Sequence, residues 1–135
     1  MATSLVKYIG GLRTEATHLQ SNTTIITDAP VDNHGKGEAF SPTDLMATSL
    51  ANCMLTIMGI KANTEGMTNI DGTEATVTKV MAADPRRVSE IHIHLKFPKN
   101  GYTDKEKKIY ENIAHTCPVA KSLHPDLKQV ITIEW

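Results

Sequence analysis

The stretch SPTDLMATSLANCMLTIMGIK, residues 41–61, decides the fold. Ser41 is a good helix N-cap, Pro42 suits the first helical position, and Asp44 puts a negative charge at the positive end of the dipole. Ser41 and Asp44 have the spacing of a capping box, with Asp where Glu is usual. From Leu45 to about Lys61, apolar side chains cover most of the circumference, and only Asp44, Thr48, Asn52 and Thr56 form a polar stripe at i, i+4 spacing. A helix apolar on most sides needs cover on most sides. One small sheet cannot supply it, so the pattern predicts a second subunit over the remainder. Cys53 falls in the middle of this helix. The stretch Leu45 to Ile60, broken by Thr48, Ser49, Asn52 and Thr56, reads as too short and too polar for a membrane span.

On the N-terminal side, residues 3–9 (TSLVKYI) and 14–19 predict two strands around a Gly10–Gly11 turn. The β-branched run Thr23–Thr27 (TTIIT) predicts a third, followed by a polar loop from Asp28 to Ala39 with turn residues Asn33, Gly35 and Gly37. On the C-terminal side, residues 69–82 and 88–97 predict two further strands joined by a turn at Ala83–Arg87. In the second of these, Ile91, Ile93 and Leu95 face one way and His92, His94 and Lys96 the other. Thr103 predicts the cap of a second helix, Asp104 to about His115, with Glu106 in the capping-box position. A turn CPVAKSL begins at Cys117, and Lys128–Trp135 (KQVITIEW) predicts a last strand. The pattern is α+β: one domain over residues 1–135, with an antiparallel sheet wrapped on a long central helix.

Composition narrows the function. A formal net charge of −1 over 135 residues gives no broad electrostatic case for nucleic acid or an anionic membrane. The start, MATSLVKYIGG, has no apolar secretory core, so a cytoplasmic address is expected. In that compartment Cys53 and Cys117 are not expected to form a permanent bridge, and their separation of 64 positions fits no CxxC knuckle or thioredoxin-type pair. His92 and His94 share a strand face but have no third ligand at metal spacing, and no phosphate-binding glycine motif, Ser-His-Asp order or HExxH helix occurs. No metal and no cofactor are expected. His115 reads as a helix C-terminal residue beside the dipole.

Together, FSPTDLMATSLANCM (residues 40–54) and CPVAKSL (residues 117–123) resemble the OsmC/Ohr family of osmotically induced and organic hydroperoxide resistance proteins. The resemblance covers nearly the whole chain, and its departures suggest a divergent OsmC-like branch. It implies an intertwined homodimer with active sites at the subunit interface. It also implies reduction of organic hydroperoxides by Cys53 as peroxidatic thiol with Cys117 resolving it, and regeneration by a small or protein-bound dithiol, lipoylated proteins among them. The chemistry agrees: a thiolate attacks the O–O bond, and the resulting sulfenic acid needs a second thiol nearby before it oxidises further. Met46, Met54 and Met58 would line an apolar pocket, or simply fill the core. In the family an early-strand Arg pairs with the thiolate and a Glu after the helix-opening Pro holds that Arg. Arg13 matches the Arg, whereas Thr43 stands in the Glu position and Asp44 follows it. Three readings stay open: a thiol peroxidase, a redox-sensing or small-hydrophobic-ligand-binding protein, and a structural dimer with inert thiols.

Overall fold

The computed structural model describes every residue, Met1–Trp135, and the chain divides into two compact units, Met1–Met46 and Ala47–Trp135. In the first, β1 (Ser4–Gly10), β2 (Arg13–His18) and β3 (Thr23–Asp28) form an antiparallel sheet in the order β1-β2-β3. The β1–β2 turn has Gly10, Gly11 and Leu12 at φ of 88°, 62° and 63°. Two consecutive glycines make that left-handed path accessible, and Leu12 is carried along with them. The β2–β3 register pairs Arg13 with Asp28. Large apolar side chains of this sheet lie open, among them Leu5, Val6 and Tyr8 at 64, 61 and 64% exposure.

The polar segment after β3 contains a 3-10 turn, Val31–Asn33, and folds back on the sheet's end. Ala29 accepts from the Gly37 N–H at 3.2 Å, and Asp28 donates its backbone N–H to the Phe40 carbonyl at 3.1 Å. This hairpin needs Gly35, because a Cβ there would fall 1.7 Å from the Ala29 carbonyl oxygen.

The helix α1 runs Pro42–Glu65, four residues beyond the expected end. The capping box is present: Ser41 Oγ accepts from the Asp44 N–H at 3.1 Å, and the Ser41 N–H donates to Asp44 Oδ2 at 2.9 Å. Asp44 is therefore a helix-start residue. Ala47, Leu50, Ala51, Met54, Met58 and Ala62 form the buried stripe, while Leu55 and Ile57 are half-buried and Ile60 is 52% exposed. At 24 residues α1 is long and apolar enough, by length and composition, to cross a membrane, which corrects the expectation that the segment is too short. Its fully buried Leu50, Met54 and Met58 mark it as a core helix instead. Met54 and Met58 fill that core and do not line an open pocket.

The second unit places β4 (Glu74–Ala82), β5 (Arg87–Lys96) and β6 (Lys128–Glu134) in the order β4-β5-β6, with α2 (Asp104–Thr116) and α3 (Pro118–Ser122) between β5 and β6. Ile91, Ile93 and Leu95 are buried, and His92 and His94 are on the other face. β4 and β5 are antiparallel, as expected, but β5 and β6 pair parallel, from Glu90↔Lys128 to Lys96↔Glu134. The purely antiparallel expectation fails because a two-helix crossover returns the chain to the same end of the sheet. The CPVAKSL turn is likewise a short helix, α3.

Two devices fix the base of α2. Phe97, Tyr102, Tyr110 and Trp135 form an aromatic cluster, with Phe97 and Trp135 centroids 4.4 Å apart and Phe97 edge-on to Tyr102 at 5.5 Å. Glu106 completes the Thr103 capping box and also reaches the segment after α1, accepting from Thr68 N–H at 2.5 Å and Thr68 Oγ1 at 2.9 Å. These charge-assisted bonds hold the Glu106 carboxyl down at about 2, the Thr68 backbone bond contributing most. Tyr110 adds a bond from its hydroxyl to the Thr68 carbonyl at 2.8 Å. The start of α2 is thus tied to the chain just past the end of α1.

Candidate functional site

Cys53 and Cys117, 64 residues apart in sequence, are neighbours in the second unit. Local sequence explains how Cys117 reaches this place. Pro118 disfavours helical backbone at the residue before it, and Cys117 is extended, at φ −62° and ψ 155°. It therefore ends α2, with its N–H bonded to the Ile113 carbonyl at 3.1 Å, and opens α3, for which Pro118 is the first residue. Cys53 projects from the middle of α1 on a partly open face. Both cysteines are free thiols; Cys117 is 1% exposed, whereas Cys53 is half-buried.

Their environments separate their chemistry. Burial pushes the Cys117 thiol above its ordinary value, and the neighbouring Cys53 adds to the push through a sulfur hydrogen bond and its charge. The Ala120 and Val119 amides at the start of α3 pull the other way without making a cap hydrogen bond of normal geometry. Cys117 is therefore held as a protonated thiol away from water. Cys53 is the sulfur of the pair that an outside molecule can reach.

Arg13 belongs to the first unit, and two carboxylates hold it there. Its Nη2 donates to Glu38 Oε2 at 2.6 Å and to Asp28 Oδ2 at 3.4 Å. Asp28 is fully buried, accepts the Glu38 backbone N–H at 3.0 Å through Oδ2, and leaves Oδ1 without a hydrogen-bond partner. That backbone bond, and then the Arg13 charge, hold the Asp28 carboxyl below its usual range, while burial opposes them. The Glu38 hydrogen bond and the Asp28 charge in turn raise the Arg13 guanidinium. Sequence reasoning missed both carboxylates. The hairpin register carried a signal for Asp28, since closing the turn between His18 and Thr23 sets Asp28 opposite Arg13. Glu38 comes close only because the glycine-bearing loop folds back. Thr43 lies in the first turn of α1, its Oγ1 3.2 Å from Ser41 Oγ.

The other titratable groups carry less. His92 and His94 lie on the outer face of β5, with Nε2 atoms 3.7 Å from Glu90 and 3.5 Å from Glu134, and His94 Nδ1 is 2.8 Å from Thr132 Oγ1. No three His, Cys, Asp or Glu side chains gather to hold a metal ion. His115 is exposed in the last turn of α2.

Comparison with known proteins agrees with this architecture. The family model described as OsmC-like protein matches residues 35–132. A crystal structure from Psychrobacter arcticus, proposed to be an osmotic stress induced and detoxification response protein, is 66% identical with a TM-score of 0.94, covering 99% of this chain and 96% of its own. The organic hydroperoxide resistance protein OsmC of Legionella pneumophila is 18% identical at TM-score 0.75, covering 100% and 98% of the two chains. A Vibrio cholerae structure with captopril bound in one of its active sites is 13% identical at TM-score 0.73, covering 98% and 92%. The last two show likeness of fold. Comparison with curated proteins returned no match. With its α+β architecture, its family-model match over most of its length and the thiol pair on the central helix and the CP turn, the chain belongs to the OsmC-like protein family.

Proposed function

We propose that the protein is a thiol peroxidase that reduces organic hydroperoxides through Cys53 and Cys117. The observation that carries this reading is the asymmetry of the pair: a reachable Cys53 beside a buried Cys117 whose thiol is kept protonated. The Cys53 thiolate attacks one oxygen of ROOH, the O–O bond breaks, and RO⁻ leaves and takes a proton to become the alcohol. The Cys53 sulfenic acid then condenses with the Cys117 thiol, forming the disulfide and releasing water. A dithiol, of the lipoyl type that the family resemblance implies, returns both cysteines to thiols and is itself oxidised to a disulfide. Arg13 takes the role that the resemblance implies, as the cation that favours the Cys53 thiolate, with Asp28 and Glu38 in place of the glutamate that Thr43 replaces.

The working form in this proposal is a cytoplasmic homodimer. The open apolar side chains of the β1–β2–β3 sheet and of Ile60 on α1 support a second copy as their cover. Thr43 is the observation that favours the alternative, a redox-sensing or small-hydrophobic-ligand-binding protein with little turnover. Steady-state assay with cumene hydroperoxide and dithiothreitol separates the two. Cys53→Ser is expected to abolish turnover, and Cys117→Ser to consume one equivalent of peroxide and stall with a dimedone-trappable sulfenic acid. Undiminished turnover in Cys53→Ser would refute the peroxidase.

A further inference from the structure

Five lysines and two acids lie between Lys96 and Lys108, so the net charge of −1 hides a local positive excess where β5 runs into α2. The fold gives that excess a shape. β5 and β6 are parallel, and their carboxyl ends meet here, with the Phe97 N–H bonded to the Glu134 carbonyl at 2.8 Å. In sheets with helical crossovers, ligands sit outside the carboxyl ends of parallel strands. A cleft of about 330 Å³ opens at this place, lined by Lys99, Gly101, Tyr102, Lys107 and Trp135. It is at the opposite end of α2 from the thiol pair: Lys107 is in the first turns of the helix and Cys117 is its C-cap, about 15 Å on at the helical rise.

The lining joins two kinds of chemistry. Trp135 is half-buried, with the Phe97 and Tyr102 ring centroids 4.4 and 5.4 Å from its own, so the indole is a fixed aromatic wall. The Tyr102 hydroxyl is bonded to the Asn69 carbonyl at 2.7 Å, which leaves the cleft its ring alone. The Lys107 ammonium stands 5.9 Å from the Trp135 centroid, and neither Lys99 nor Lys107 is in an ion pair. Glu106, the residue before Lys107, has its carboxylate committed to Thr68 and Thr103. We propose that this cleft binds a nucleoside monophosphate, with the base against Trp135 and Tyr102 and the phosphate between Lys99 and Lys107. An ammonium takes phosphate as a point charge, and two of them suit a dianion. A base stacks on an aromatic wall whatever its identity, so ring and phosphate together set the class of ligand. Lys107 gives up its contact with the indole to reach the phosphate, and at an exposed site that contact is weak. The volume is at the low end of ligand clefts, about 300–1,000 Å³, which suits one nucleotide rather than two. The site is independent of the thiol chemistry.

Trp135 is the sole tryptophan of the chain, so its fluorescence reports on this cleft alone. The test titrates the full-length protein with adenosine monophosphate, adenosine and inorganic phosphate, exciting at the red edge of the indole band where the base does not absorb. The expected result is saturable quenching by the monophosphate with Kd below about 1 mM, on the order of tenfold tighter than adenosine or inorganic phosphate, and weakened by added salt. In Lys99→Met/Lys107→Met the affinity for the monophosphate should fall on the order of tenfold, to that of adenosine. Calorimetry repeats each titration, because Lys107→Met also changes the surroundings of the indole. Absence of saturable binding by both methods would overturn the proposal. So would adenosine binding as tightly as its monophosphate, inorganic phosphate binding as tightly as either, or an affinity that survives in the double variant.

Discussion

Glu106 ties the first turn of α2 to the segment just past the end of α1, and replacing it with glutamine tests that role. Its carboxylate accepts from Thr68 N–H, Thr68 Oγ1 and Thr103 N–H at 2.5, 2.9 and 3.0 Å. It titrates at about 2 in the fold against an ordinary 4.5. Because the folded value is depressed, the stabilisation is complete above about pH 4.5 and is lost as pH falls toward about 2. At about pH 3.2, midway between, the unfolded carboxyl is about 95% protonated and the folded one about 6%. Unfolding thus takes up about 0.9 proton at this residue. Urea unfolding of the unaltered protein and of Glu106→Gln, followed by circular dichroism from about pH 6 to pH 2.5, reads that difference directly. The stability of the unaltered protein should fall more steeply below pH 4.5 than that of the variant, by the equivalent of about 0.9 proton near pH 3.2. Parallel pH dependences would show that Glu106 ionises normally in the fold, and the clamp described above would be wrong.

Two other substitutions test the packing that positions the site. Met58→Ala empties a fully buried place on α1 and should destabilise the protein by about 2–5 kcal/mol in urea titration, whereas a loss under about 1 kcal/mol would contradict its core position. Tyr110→Phe keeps the ring but leaves the Thr68 carbonyl without its 2.8 Å donor, at a cost of about 1–3 kcal/mol. Because Glu106 and Tyr110 hold the same residue, the Glu106→Gln/Tyr110→Phe double variant should be non-additive; strict additivity would separate the two contacts.

Much of this was legible because local rules and tertiary structure agree. Ser41-Pro42 with Asp44 announces a capped helix, and Thr103 with Glu106 announces another; both boxes form. The alternation of Ile91, Ile93 and Leu95 against His92 and His94 gives the correct inner face of β5. What local rules do not encode is where strands go next. The period of KQVITIE is the same in a parallel or an antiparallel ladder, so the direction of β6 depends on the α2–α3 crossover. The strand expected from residue 69 starts at Glu74, because Asp71 and Gly72 form a turn in which the Thr73 N–H bonds to the Ile70 carbonyl at 3.0 Å. Glu106 advertises its bond to Thr103 three residues away, but nothing local advertises Thr68, 38 residues distant. The thiols show the same division. The family resemblance singles out Cys53 and Cys117, but the burial that keeps Cys117 protonated is a property of the fold. The resemblance places the carboxylate partner of Arg13 at the helix start, where Thr43 stands in the Glu position and Asp44 reads as a helix-start charge, so it points to neither of the carboxylates found. They come instead from the strand paired with it and from the loop beyond.

The most direct test of the account is a single-turnover titration of the reduced protein with cumene hydroperoxide, with thiols counted and peptides mapped by mass spectrometry. The account predicts rapid loss of two thiols per chain for one equivalent of peroxide, with a Cys53–Cys117 disulfide as the product. Slow oxidation, or oxidation that stops at Cys53 with Cys117 still a free thiol, would contradict it.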